Sequence, residues 1–203
     1  MRLFILGANG RTGAQLVDLA LSRHHDVTAF VRSKDRITRR AAGLRVVVGD
    51  PRRAEDLARA LPGHDAVLSA LGSRSAFRPS SLLEECAAST THAMIRTRTR
   101  RLVLVSAATL FPPGGLVARF FRWLFKHVVR DTIAAEHIVR STSLDWTIAR
   151  PPRLVHGDAT SYRSAVSQLP SRASSISFRA LAAFMLDAVE QRTHHGEVVG
   201  LSS

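Results

Sequence analysis

The chain has 203 residues, is 45% hydrophobic and carries a formal charge of +13, which suits one compact domain with a sizeable core. No run reaches the ~18 to 20 apolar residues of a membrane span; Cys86 is the single cysteine, which excludes an internal disulfide and any zinc site built on several thiolates, and a reducing cytoplasm is the expected setting. The positive balance would suit nucleic acid, but of the 29 basic residues only Lys34 and Lys126 are lysines and the arginines are scattered, so no nucleic-acid partner is expected.

In chain order, RLFILG (2–7) reads as a buried first strand. Its apolar run is too short for a signal peptide and Asn9–Arg11 interrupts it. A helix follows over 11–23, with Leu16, Leu19 and Ala20 on one face, then a strand over 26–32 (DVTAFVR). After a weak polar helix come a strand over 45–50 (RVVVGD), a helix over 53–61 and a strand over 65–72 (DAVLSALG). A long helix (80–98) leads into a fifth strand (101–107), and a helix over 130–142 into a sixth (144–152). A final helix (178–191) and a short strand (197–202) close the pattern. The basic cluster RTRTRR lies where a helix ends, and basic side chains there complement its dipole.

Strands apolar on both faces and separated by helices predict a parallel sheet covered on both sides. Right-handed crossovers make it an α/β, doubly wound, Rossmann-like fold in a single domain, 1–203. Two segments break the rhythm: 108–129, aromatic and basic, and 153–177, polar and serine-rich. Both follow strands at their C-terminal ends, where ligands bind in this architecture, so the substrate region is expected there.

Gly7, Gly10 and Gly13 stand between the first strand and the first helix, in GANGRTG. This is the context in which glycines let backbone approach a phosphate at a helix N-terminus, and it predicts a dinucleotide held by Gly7, Asn9, Gly10, Arg11, Thr12 and Gly13. The competing reading is close helix–strand packing alone. At the end of the second strand, an NAD-preferring fold places an acid for the ribose hydroxyls. Here the sequence is AFVRSKDR, with Arg32 in the key place and Ser33, Lys34 and Arg36 near it. A guanidinium grips a 2′-phosphate through paired hydrogen bonds, so NADP(H) is the expected cofactor; a solvated basic turn is the alternative. Asp50 is placed either to touch adenine or to cap the next helix. Ala70, Leu71 and Gly72 end the fourth strand beside the cofactor.

GANGRTG, FVR, VVVGD, DAVLSALG, VSAATLF and LDWTIARPPRL form an ordered set. Together they resemble the atypical short-chain dehydrogenase/reductase family, and within it the biliverdin-IXβ reductase/flavin reductase group. The resemblance implies a monomeric NADPH-dependent reductase of flavins, quinones or linear tetrapyrroles. It places the glycine loop and Arg32 on cofactor positions and Ser106 on the serine beside the nicotinamide. Pro151 and Pro152 fall on the double proline beside the same ring. That group has a histidine directly after the prolines; this chain has Arg153, with His156 three residues later as a substitute. Ala180 stands where relatives often carry an acid near the start of the last helix.

The Tyr-x-x-x-Lys pair of ordinary short-chain dehydrogenases is missing: the one tyrosine, Tyr162, is followed four positions later by Val166. Hydride transfer to a flat acceptor needs less, because the cofactor carries the hard step and the protein supplies position. Ser106, Arg153 and His156 are the candidate catalytic residues, Ser106 orienting a ring and the other two contacting the acceptor. For each, a strand-end or solvated loop residue is the competing reading. Asp131 and Glu136 are read as structural, Trp146 as core, and the pairs His24–His25 and His194–His195 as lacking a carboxylate or third ligand for a metal. The aromatic stretch 111–126 suits packing on the sheet, a lid over an acceptor, or a membrane or dimer contact; no stable membrane insertion is expected. The expectation is a planar small-molecule acceptor and an NADPH-dependent reductase. Two alternatives remain: a non-catalytic NADP(H)-binding regulator of the NmrA-like kind, and a ketoreductase or isomerase of an aromatic natural product.

Overall fold

A computed structural model describes residues 1–34, 41–73, 79–111 and 124–203. The strands are β1 (Arg2–Leu6), β2 (Asp26–Val31), β3 (Leu44–Val48), β4 (Ala66–Ser69), β5 (Arg101–Val105), β6 (Asp145–Arg150), β7 (Arg153–Val155), β8 (Arg163–Val166), β9 (Ser175–Ser177) and β10 (Glu197–Ser202). The helices are α1 (Arg11–Ser22), α2 (Ala54–Ala60), α3 (Leu82–Thr97), α4 (Lys126–Arg140) and α5 (Phe178–Glu190). Eight strands form one sheet in the order β3-β2-β1-β4-β5-β6-β10-β8. All neighbours run parallel except β8, which is antiparallel to β10. The strand order reverses at β1, between β2 and β4.

Alternate residues of one strand feed opposite layers, as the two-residue strand period requires. Leu3 and Ile5 of β1 join Val27, Ala29, Leu68 and Val103 under α1 and α5. Phe4 and Leu6 join Phe30, Val67, Leu102 and Ile148 under α2, α3 and α4. Both faces are therefore apolar, which is why the central strands read as continuous hydrophobic runs.

The helix ends are held by different means. The carboxylate of Asp131, from α4, accepts the backbone N–H groups of Leu83 at 3.2 Å and Glu84 at 2.9 Å, capping α3 from across the layer. Ser177 caps α5 by accepting the N–H of Ala180 at 2.9 Å. Ala180, fully buried, holds the place of the acid in a capping box. Arg23 closes on Asp187 at 2.6 Å and Glu190 at 2.8 Å, tying the C-terminal ends of α1 and α5 together.

Two expectations are corrected. Residues 153–177 are more than a polar loop. They carry β7 and β9, which pair in parallel, and β8, which extends the main sheet past β10. Arg101 of the basic cluster does more than complement a helix end. It is 8% exposed, donates to the carbonyls of Ala188 and Thr193 at 2.9 and 2.8 Å and pairs with Asp145 at 3.3 Å. The polar helix expected between β2 and β3 falls largely on 35–40, and the core of the aromatic stretch on 112–123, both outside the described residues.

Candidate functional site

β1 ends in Gly7, whose φ of +77° suits only glycine without strain. A Cβ there would come within 2.7 Å of the carbonyl oxygen of Ala70. Gly13 is tighter still, since a Cβ would stand 2.0 Å from the oxygen of Gly7. The loop closes through Gly10 N–H donating to that same oxygen at 2.8 Å. Gly10 is the N-cap of α1, with no side-chain cap and no acid in the first turn. The helix start thus presents backbone N–H groups and the positive end of its dipole to the space above β1, a setting for an anion.

That space is a groove of about 470 Å³. Its walls are Leu6 to Gly10, the end of β2 from Phe30 to Ser33, Pro51, and Ala70 to Gly72. These are the C-terminal ends of β1, β2 and β4, at the point where strand order reverses. Of the sequence-nominated residues, Gly7, Asn9, Gly10, Arg32, Ser33, Ala70, Leu71 and Gly72 line the groove. Arg11, Thr12 and Gly13 form the first turn of α1 beside it. Among the described residues every one that lines the groove is neutral except Arg32, which is exposed and cationic. Arg36 lies outside the described residues.

Asp50 is turned to its own neighbour. Its carboxylate accepts from Arg52 Nη2 at 2.6 Å and from the Arg52 backbone N–H at 3.0 Å. The Arg52 hydrogen bond holds the Asp50 carboxyl below its usual value, and Arg32 adds to this. Cys86 lies in the packing between the sheet and α3, where burial pushes its thiol up to about 12, far from a reactive thiolate.

A second cluster sits at the ends of β5 and β6. The Ser106 backbone N–H extends the ladder to the carbonyl of Ala149 at 2.7 Å. Its hydroxyl donates to Oε1 of Glu136, one face of α4. Arg150 holds the same carboxylate as a fork, Nε to Oε1 at 2.9 Å and Nη2 to Oε2 at 2.6 Å. The guanidinium also lies over the Phe111 ring, 4.7 Å from its centroid. Pro151 follows and is buried, its carbonyl accepting from Ala108 N–H at 2.9 Å, while Pro152 is half-buried. Glu136, Arg150 and Phe111 were not singled out as site residues from sequence. In the sequence Glu136 reads as structural and Phe111 only as the start of the aromatic stretch 111–126.

Arg153 opens β7 and is exposed. His156 is exposed beyond β7 and meets the Phe178 ring edge-on at 5.2 Å. Phe178 also meets Arg11, whose guanidinium lies 4.8 Å from the ring centroid. The start of α5 thereby brings His156 to the glycine-loop side of the molecule. Phe178 carried no signal in the sequence beyond being the first residue of an apolar helix.

Tyr162 takes no place in either cluster. Its hydroxyl donates to Asp187 at 2.7 Å, near Arg23 at the far end of α1, a helix of 12 residues and so about 18 Å long. Burial and the Asp187 carboxylate push its phenol well above its usual value. The histidine pairs do meet carboxylates that sequence order hid: His25 with Glu190 at 2.6 Å, His194 with Glu197 at 2.7 Å, and His195 with Asp145. Among the described residues no group of three or more such side chains is arranged to hold a metal, and no helix is long and apolar enough to cross a membrane.

Known structures repeat this architecture. A Rossmann-fold NAD(P)-binding family protein from Shigella flexneri superposes with a TM-score of 0.80 at 21% identity, over 100% of this chain and 93% of that one. The oxidoreductase ylbE from Lactococcus lactis gives 0.83 at 20% identity, over 100% and 91%. A short-chain dehydrogenase/reductase from Veillonella parvula, solved in complex with NADP, gives 0.80 at 21% identity, over 100% and 94%. At such identities the likeness is one of fold. The sequence itself matches the family described as NAD(P)H-binding over residues 7–192, from the first glycine of the loop to beyond α5. The chain belongs to that NAD(P)H-binding family.

Proposed function

We propose that this protein is an NADPH-dependent reductase that delivers hydride to a flat conjugated acceptor, a flavin, quinone or linear tetrapyrrole, as in the biliverdin-IXβ reductase/flavin reductase group. The observation that carries the cofactor preference is the groove lining: among the described residues Arg32 is its only charged member, and no acid among them lines the end of β2 to take ribose hydroxyls. The glycine loop and the uncapped start of α1 suit the pyrophosphate, and Arg32 suits the 2′-phosphate. The Veillonella parvula neighbour bound to NADP supports the same preference.

NADPH, when bound, supplies two electrons and a hydrogen as hydride, and the acceptor takes a further proton from water. The chain's own part is position. Ser106 and the prolines at 151 and 152 frame the nicotinamide side, while Arg153 and His156 stand exposed to meet the acceptor. Tyr162 and Asp187 hold each other away from the site, so the carbonyl chemistry of a Tyr–Lys pair has no acid here. The same observation favours one second reading, a non-catalytic NADP(H)-binding regulator.

Titration with NADPH and NADH, followed by NADPH oxidation with FMN, a quinone and biliverdin, separates these readings. NADPH should bind at least about tenfold more tightly than NADH, a preference that Arg32→Ala removes, because hydrogen bonds to a charged group are worth about 1.5–3 kcal/mol. Equal affinity for both cofactors in the unaltered protein would defeat the NADP(H) assignment. Tight NADPH binding without oxidation by any acceptor would leave the regulator.

A further inference from the structure

A serine hydroxyl has one proton to donate and two lone pairs with which to accept. Ser106 donates its proton to Oε1 of Glu136, and Glu136 is 3% exposed. The carboxylate cannot swing aside, because Arg150 grips both of its oxygens at 2.9 and 2.6 Å. Arg150 is in turn seated on Phe111. A carboxylate has no proton to give back, so reversing the Ser106 hydrogen bond would require breaking a charge-assisted fork. Ser106 therefore turns only lone pairs toward the open end of β5.

We propose that Glu136 is a positioning residue that makes Ser106 a hydrogen-bond acceptor toward the cofactor, where it receives the carboxamide N–H of the nicotinamide. This rests on the NADP(H) reading above. It has a consequence for substrate class: with its proton held by Glu136, Ser106 cannot polarise a carbonyl, so the site favours acceptors that need hydride and orientation alone over ketones that need a hydroxyl donor.

The test uses NADP⁺ and its acetylpyridine analogue, which keeps the carbonyl and lacks the carboxamide N–H₂. Both are titrated calorimetrically into the unaltered protein, Ser106→Ala and Glu136→Gln. One neutral hydrogen bond corresponds to a factor of about five to ten. The preference for NADP⁺ over the analogue should fall by that factor in Ser106→Ala. Glu136→Gln removes the negative charge that holds the Ser106 proton, leaving the hydroxyl free to turn outward, so the preference should also shrink while NADP⁺ still binds. A merely structural role for Glu136 would weaken both ligands equally and leave their ratio unchanged. If Glu136→Gln fails to fold, Glu136→Asp takes its place: it keeps a charge for Arg150 but draws the carboxylate back from Ser106, and the same ratio should shrink, an unchanged ratio there overturning the role of Glu136. An unchanged ratio in Ser106→Ala, with NADP⁺ bound by both proteins, overturns the inference and leaves the cofactor reading standing. Absence of NADP⁺ binding to the unaltered protein overturns both.

Discussion

The groove above β1 and the cluster at the ends of β5 and β6 are built on opposite plans. The glycine wall of the groove is made of backbone: Gly7, Gly10 and Gly13 leave room, and α1 starts without a side-chain cap on its N–H groups. The cluster is made of side chains that reach across the layers, with Ser106 on Glu136, Glu136 on Arg150, and Arg150 over Phe111. A backbone site fails when something is added to it. A side-chain site fails when something is taken away, because a buried charge is left without its partner.

The sharpest way to expose that difference is Glu136→Ala. It strands the Arg150 guanidinium, whose side chain is 12% exposed, and should cost about 3 to 5 kcal/mol in urea unfolding. Replacing both partners, Glu136→Leu with Arg150→Met, should recover most of that loss, since the penalty belongs to the orphaned charge. A loss below about 1 kcal/mol for Glu136→Ala would mean that the pair behaves like an exposed one. The matching perturbation of the groove is Gly13→Ala. The added methyl would meet the Gly7 oxygen at 2.0 Å, so the loop must open. A loss on the order of 3 kcal/mol is expected, with NADPH affinity falling by more than tenfold. Gly13→Ala with unaltered stability and binding would show that the loop shifts to admit the methyl without loss.

This contrast also explains what could be read from residue order. The glycine loop is local: strand, turn and helix start lie within about a dozen positions, and each glycine has a steric reason visible in the motif. The central strands were legible because both their faces are buried, and the doubly wound parallel sheet followed from crossover rules. The second cluster was not legible, because its partners are separated by 30 and 14 positions and meet only once α4 is laid on the sheet. Asp131 illustrates the same limit. Its place on α4 gave no hint that it caps α3, 47 and 48 positions earlier. The strands within 153–177 escaped for another reason. β8 (RSAV) is an edge strand with mostly exposed residues, and it lacks the apolar alternation that marks a strand with one buried face. Arg101 looked like one more cation in a basic run until β6 and the end of α5 closed over it.

The smallest expected effect tests whether a local device of the groove's kind also holds the start of α5. Ser177 joins β9 to α5, and its hydroxyl works in both directions, accepting from Ala180 N–H and donating to the carbonyl of Ala159, each at 2.9 Å. Ser177→Ala removes the cap and leaves the buried Ala180 N–H short of a partner, a loss of about 1 kcal/mol, or roughly 2–4 °C in thermal midpoint for a chain of this size. Ser177→Thr keeps both bonds and should restore most of the midpoint. Ser177→Asp keeps the acceptor but sets a carboxylate against the Ala159 carbonyl, so it should fall between Ala and Thr. If Asp instead matches Thr, the bond to Ala159 contributes nothing and the cap alone holds this junction. If Ala, Asp and Thr are indistinguishable from Ser, the start of α5 is held by the burial of Phe178 and Leu181 and not by its cap.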